Sequence, residues 1–448
     1  MRFDRVLAPA AFGVCALLAV AASAAPAGAV TPHLPQPVSA QAGATWLAGQ
    51  FTAQGYIPSP SDPSTADLSA TANSILALAS ANVDPSVAAS GLSYMEQNVD
   101  TYVTQDGTDG PGQLALLILD AHALGVDPTS FGGTNLVTRL LATEETSGGK
   151  AGLFGTKAQV QDYDAGDYDQ GLALAALASI GETTGTAIKS ADSWLLHQQC
   201  PNGGWTSYES TSNPCNGAPA DYEGPDTNST SLAIQGLSAQ GDLGSSAAAS
   251  AEAFLVHAQD GDGGWGYEPN TKKAPGTTDP DSTALVIQAI LALGDSPTQS
   301  TFTQNANPVS LLESFQIASG DDEGAFSYPG VSGPNILATY QAVPAVAGVV
   351  FPFNLFVTSS PSLPEGTVGQ HYKVKLTASG GNPPYTWSLA KGSSLPSGLT
   401  LSVGGKISGT PTASGTSTFV VVVTDTETTS SPHHDNVGWQ FLSITTSG

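Results

Sequence analysis

Two hydrophobic rhythms divide the chain. Up to about residue 347, segments of helical length alternate in character. One set is amphipathic, with segments beginning near Thr45, Ala88, Asn135, Ala187, Ala248 and Ser310. The other set spans 68–81, 112–124, 171–180, 231–239, 284–293 and 336–343. It is rich in small residues and apolar on most faces, as expected of helices buried on both sides. Six outer and six inner helices in alternation close into two concentric rings. The expected fold is therefore an all-α (α/α)6 toroid over 30–347. After Ala347 the period drops to two, with Pro/Gly turns between short runs such as His371-Tyr-Lys-Val-Lys-Leu, Tyr385-Thr-Trp-Ser-Leu and Thr418-Phe-Val-Val-Val-Val-Thr. Such runs predict an all-β sandwich over 359–448, with 348–358 as linker or first strand.

Internal repeats support the ring. Gly-aromatic turns recur at Gly55-Tyr56, Gly152-Leu-Phe154, Gly203-Gly-Trp205, Gly263-Gly-Trp265 and Gly324-Ala-Phe326, with a degenerate turn near Asp106-Gly107. Asp226-Thr-Asn-Ser-Thr and Asp279-Pro-Asp-Ser-Thr stand before inner helices, and Asp67 and Asp169 hold comparable places. Their side chains can accept from the unpaired amides of a first helical turn. In a ring of this alternation the inner helices run parallel, so their N-termini crowd one mouth. That mouth gathers partial positive charge, and is where a functional pocket is expected.

The spacing of Gln199-Cys-Pro-Asn-Gly-Gly-Trp205 and Gln259-Asp-Gly-Asp-Gly-Gly-Trp265 resembles the QW repeats of squalene–hopene cyclases and protein prenyltransferase β subunits. The toroid that this implies also occurs in cobalamin carriers and complement thioester domains. The resemblance covers roughly residues 42–347 and is nearest to secreted actinobacterial prenyltransferase/squalene-oxidase repeat proteins. It implies that Trp205, Trp265 and Phe326 pack at hairpin corners and tie repeats together. Gly380-Gly-Asn-Pro-Pro-Tyr-Thr-Trp387, Leu395-Pro-Ser-Gly-Leu and Gly404-Gly-Lys-Ile-Ser-Gly-Thr-Pro411 resemble the immunoglobulin-like modules of bacterial surface proteins, which implies a spacer or adhesion unit.

Bulk properties narrow the setting. Arg2 and Arg5, the apolar run from Val6 to Val20 and the small residues to Ala29 read as a secretory signal peptide, 1–29. No other run is long enough to span a membrane. The expectation is a secreted, extracellular monomer. With 12 Lys+Arg against 38 Asp+Glu, the net charge of −26 excludes nucleic acid as a partner. Cys200 and Cys215 are expected to form a disulfide.

The chemistry is less explicit. The Asp-x-Asp-Asp acid of class II terpene cyclases is absent, and nothing matches a zinc ligand set, so no metal is expected and no cofactor is identified. These absences favour binding over catalysis: a ring mouth that takes a small molecule, cobalamin among the candidates, or a glycan. The expected ligand contacts are Asp67, Asp169, Asp226, Asp281, Tyr208, Tyr267 and Tyr328. The alternative is an enzyme of the terpene-cyclase or glycan-active kind, with Asp162, Asp164, Asp167 and Asp169 as its acids.

Overall fold

In a computed structural model of the chain, the structure describes residues 34–105, 107–155, 166–207, 215, 224–269, 278–353, 355–381, 383–390, 392–425 and 437–448. Along the chain come α1 (Pro37–Ala48), the hairpin β1 (Ile57–Pro58) and β2 (Ala66–Asp67), α2 (Leu68–Ala81), α3 (Pro85–Gln97) and α4 (Val99–Val103). The hairpin β3 (Thr104–Gln105) and β4 (Thr108–Asp109) leads into α5 (Pro111–Ala123), α6 (Leu136–Ala142), α7 (Asp167–Ser179) and α8 (Thr186–Gln198). The hairpin β5 (Trp205–Thr206) and β6 (Pro225–Asp226) precedes α9 (Thr227–Gln240), α10 (Ser245–Ala258), α11 (Pro280–Ala292), α12 (Pro308–Ser314) and α13 (Ile336–Ala347).

Helices α2, α5, α7, α9, α11 and α13 form the inner ring. Each packs on the next, and α13 closes on α2. Between them α1, α3, α6, α8, α10 and α12 return on the outside. The closest inner pair is α7 and α9. Gly171 lies against the backbone of Leu232 and Ala233, and Gly236 against the backbone of Gly171, so a Cβ at either glycine has no room.

The repeated turns explain the repeated residues. Gly55, Gly152, Gly203, Gly263 and Gly324 all have φ between 91° and 110°, a conformation that favours glycine. Each presses on the backbone of a following outer segment, at Ser90, Ser190, Ser250, Ala306 and Ala42, so the last turn closes on the first helix. The turn amide then donates to a side chain on the adjacent inner helix. Ile57 donates to Thr71 at 2.9 Å, Phe154 to Gln170 at 2.8 Å, Trp205 to Thr230 at 2.9 Å, Trp265 to Thr283 at 3.0 Å and Phe326 to Thr339 at 2.9 Å. The indoles of Trp205 and Trp265 donate to the carbonyls of Leu195 and Leu255, both at 2.8 Å. The glutamines complete the clamp. Gln259 donates to the carbonyls of Gly263 and Phe302, at 2.9 and 2.7 Å; Gln199 makes the matching bonds to Gly203 and Ala247.

The β region comprises β7 (Phe356–Val357), β8 (Gly366–Thr367), β9 (Tyr372–Lys375), β10 (Ala378–Ser379), β11 (Thr386–Leu389), β12 (Leu399–Leu401), β13 (Lys406–Gly409), β14 (Gly415–Thr424) and β15 (Val437–Ser447). One sheet has the order β11-β14-β15-β8, another β12-β13-β9, and β7 pairs with β10. Phe419, Val421 and Val423 face the sandwich core, whereas Val420 and Val422 join the core of the ring together with Trp439. The unbroken Phe-Val-Val-Val-Val run therefore reflects a strand buried on both faces.

The linker is part of the ring. Val349 and Val350 are buried; Gln288 donates its amide to the carbonyl of Val349 at 3.0 Å, and the amide of Phe351 donates to Gln235 at 3.0 Å. Gln235 and Gln288 hold the same place on α9 and α11. Together they pin the linker across the C-terminal end of the inner helices.

Candidate functional site

The first turns of the inner helices carry the polar groups. Asp67, Asp226, Asp279 and Asn335 are the N-caps of α2, α9, α11 and α13. They accept from Ala70 at 2.9 Å, Ser229 at 2.7 Å, Ser282 at 2.7 Å and Ala338 at 2.9 Å. Asp169 is not a cap, contrary to the sequence expectation: α7 starts two residues earlier, at Asp167, behind Gly166. Asp281 likewise lies inside the first turn of α11, because Asp279 takes the cap position. Helices α9 and α11 also start four residues before the expected Ser231 and Ala284, since the Asp-x-x-Ser/Thr caps are continuous with the helices they start.

Two constellations result. Asp226 is fully buried, and its Oδ2 accepts from Ser207 at 3.1 Å. Ser207 also shares a 2.6 Å hydrogen bond with the Tyr267 hydroxyl. Burial pushes the Asp226 carboxyl up to about 6, against the opposing pull of its hydrogen bonds. In the second constellation, Tyr328 donates to Oδ2 of Asp281 while Oδ1 of Asp281 is buried without a hydrogen-bond partner among the described residues. Desolvation pushes Asp281 up to about 7; the Tyr328 bond opposes this and the neighbouring Asp279 adds to it.

Tyr168 and Tyr340 stand between these groups. Burial raises both hydroxyls, and the charges of Asp169, Asp281 and Asp226 add to the effect on Tyr168, as those of Asp281 and Asp67 do on Tyr340. Both tyrosines line the ring lumen, which continues past Leu116, Leu232 and Leu285 to Phe351 of the linker and has a volume of about 40 Å³. This holds a few waters; drug-sized ligands occupy about 300 Å³ or more.

Among the expected residues, Asp226 and Tyr267 meet through Ser207, and Asp281 meets Tyr328 directly. Asp167 ties α7 to the next repeat, accepting from the Thr206 amide at 3.1 Å. Asp162, Asp164 and Tyr208 lie outside the described residues. Sequence reasoning missed Tyr168, Tyr340 and Ser207. Tyr168 stood inside the noted Asp167-Tyr-Asp169 cluster; Tyr340 offered only a polar tip in an apolar helix. Cys200 and Cys215 form the expected disulfide. Among the described residues no helix is long and apolar enough to cross a membrane, and no group of His, Cys, Asp and Glu is arranged to hold a metal ion.

A closed ring of paired helices with QW-type corners defines a terpene-cyclase-like helical toroid, here followed by an immunoglobulin-like region. Residues 157–311 match the family model of the squalene-hopene cyclase C-terminal domain, and residues 354–437 match the model described as "Putative Ig domain". Solved structures similar to the chain include a protein from Actinoplanes (14% identity, 69% of this chain and 98% of that chain, TM-score 0.47). The type II terpene cyclase MstE from Scytonema is similar at 15% identity, over 69% of this chain and 97% of that chain, with TM-score 0.48. The structure described as UGL_D88N/dGlcA-Glc-Rha-Glc is similar at 14% identity, over 69% and 95%, with TM-score 0.49. No curated protein sequence matches the chain.

Proposed function

We propose that the ring mouth is an acid–base active site that cleaves a glycan, with Asp281 as the general acid. The carrying observation is a carboxyl pushed up to about 7, set on the first turn of an inner helix, bonded to Tyr328 through one oxygen and, among the described residues, unpartnered at the other. An acid of this strength suits protonation of a departing glycosidic oxygen near neutral pH. Protonating an alkene takes a far stronger acid than a carboxyl at about 7. Asp226 and Asp279 are engaged as caps. Asp169, in the first turn of α7 as Asp281 is in that of α11, is the second carboxylate. Tyr267, bonded to Ser207, supplies a ring and a hydroxyl for sugar contacts. The signal-peptide-like start and the disulfide support action outside the cell.

The test is incubation of residues 30–448 with a polysaccharide panel and a polyprenyl lipid, followed by mass spectrometry of the products. Shortened saccharides, lost in Asp281→Asn, are the expected result. A stoichiometric adduct of unchanged ligand mass would return the ring to a binding protein, and a cyclised lipid would make it a cyclase.

A further inference from the structure

Tyr267 comes to the mouth from the corner of the following repeat, and its backbone is tied to the first turn of α9. Its carbonyl accepts from the Thr227 amide at 3.1 Å, and the Thr227 hydroxyl donates to the carbonyl of Gly266 at 2.9 Å. The side chain is half-buried, and its hydroxyl shares a 2.6 Å hydrogen bond with Oγ of Ser207. Ser207 has a single hydroxyl proton to give. Three oxygens compete for it: the Tyr267 hydroxyl at 2.6 Å, Oδ2 of Asp226 at 3.1 Å and Oγ of Ser229 at 3.1 Å.

Charge decides which oxygen takes the proton. Asp226 is fully buried, and burial pushes its carboxyl up to about 6, which leaves it ionised at pH 8. A carboxylate only accepts, and a hydrogen bond to an ionised acceptor is stronger than one to a neutral hydroxyl. Ser207 therefore donates to Asp226. Its oxygen is left to accept, so the proton in the 2.6 Å contact is that of Tyr267. With its one proton turned to Ser207, the Tyr267 hydroxyl offers a ligand lone pairs alone. We infer that Ser207 is a positioning residue that makes Tyr267 an acceptor, so that the mouth takes a saccharide donating a hydroxyl or ammonium there and rejects a uronate carboxylate. An acceptor set against an acceptor is the repulsive element such discrimination uses. The carboxyls of Asp226, Asp279 and Asp281, at the starts of α9 and α11, oppose the same anionic group. The inference deepens the reading of the mouth as a glycan site and rests on it for the class of ligand.

The experiment is run at pH 8 on residues 30–448 carrying Asp281→Asn, to stop turnover, and has two readouts. Calorimetric titration with cellotetraose, the glucosamine tetramer and tetragalacturonate reads the selection. The carbon-13 resonance of Tyr267 Cζ, in protein labelled at tyrosine and assigned with Tyr267→Phe, reads the hydroxyl. A donating phenol has this resonance displaced towards that of a phenolate. Ser207→Ala is therefore expected to move it upfield, and Ser207→Thr, which restores a hydroxyl, to bring it back. Cellotetraose or the glucosamine tetramer is expected to bind about tenfold more tightly than tetragalacturonate, and Ser207→Ala to bring that ratio towards one. Preference for tetragalacturonate, or a resonance and a ratio that Ser207→Ala leaves unchanged, would overturn the inference. Failure of all three probes would overturn the ligand class together with the glycan reading of the mouth, while the resonance still decides the direction of the hydroxyl. Selection by a protein that cleaves nothing with Asp281 restored would keep this inference and overturn the acid–base reading.

Discussion

The hydroxyl of Tyr328 donates to Oδ2 of Asp281, joining the loop before α13 to the first turn of α11. The bond favours the ionised carboxyl, while burial favours the neutral one and prevails. Tyr328→Phe should therefore raise the Asp281 pKa further and move the alkaline limb of the pH–rate profile to higher pH. Asp281→Asn should lower turnover by about 10²-fold or more, the usual scale of general acid catalysis. An unchanged profile in Tyr328→Phe would detach this pair from the chemistry.

The same carboxyl makes stability depend on pH. Its pKa is about 7 in the fold, against about 3.9 in an unfolded chain. Between these values the native state holds the extra proton, so stability falls as pH rises from about 4 to about 7. Denaturant titrations of Asp281→Asn across that window should show a flatter slope than those of the parent.

Asp192 on α8 forms a second such device. It is buried, paired with Asp242 and bridged by Lys189, and burial pushes it up to about 8. The sign is the same: the Asp192 proton is lost as pH rises through about 8, and stability falls with it. Asp192→Asn has no charge to titrate. Its melting temperature should change less between pH 6 and pH 9 than that of the parent.

Gln259 and Gln199 make the same pair of bonds in successive repeats, but Gln259 is buried and Gln199 only partly so. Gln259→Ala strands the carbonyls of Gly263 and Phe302 and should cost about 2–4 kcal/mol. Gln199→Ala should cost less, because water can reach its former partners. Equal losses in chemical unfolding would show that burial does not set the difference.

The Cys200–Cys215 disulfide closes a separation of 15 residues. On chain-entropy grounds its removal costs about 3 kcal/mol. Reductant should lower the melting temperature of the parent and leave the Cys200→Ala, Cys215→Ala double variant unmoved.

Much of the ring is legible in the residues because its parts are local. A Gly-Gly-Trp turn needs one positive φ, a glutamine six residues before Trp265 reaches forward to its own turn, and an Asp-x-x-Ser cap acts within one helical turn. The placement of Asp281 shows where local reading stops. Asp279 and Asp281 look alike in sequence, yet one oxygen set caps α11 while the other faces Tyr328, 47 residues further along the chain. The Phe-Val-Val-Val-Val run reads as a strand in either case. That its second face meets the ring depends on where the linker carries it.

Sequence alone thus determined the alternation of outer and inner helices, the repeat corners, the disulfide and the change to β structure, since periodicity, glycine conformation and capping act between near neighbours. Tertiary structure decided which polar groups meet at the mouth, how narrow the lumen is, and that the linker closes its far end. Those outcomes depend on burial and on contacts between residues far apart in the chain, and the desolvation that gives Asp281 its raised pKa exists only once the ring has closed.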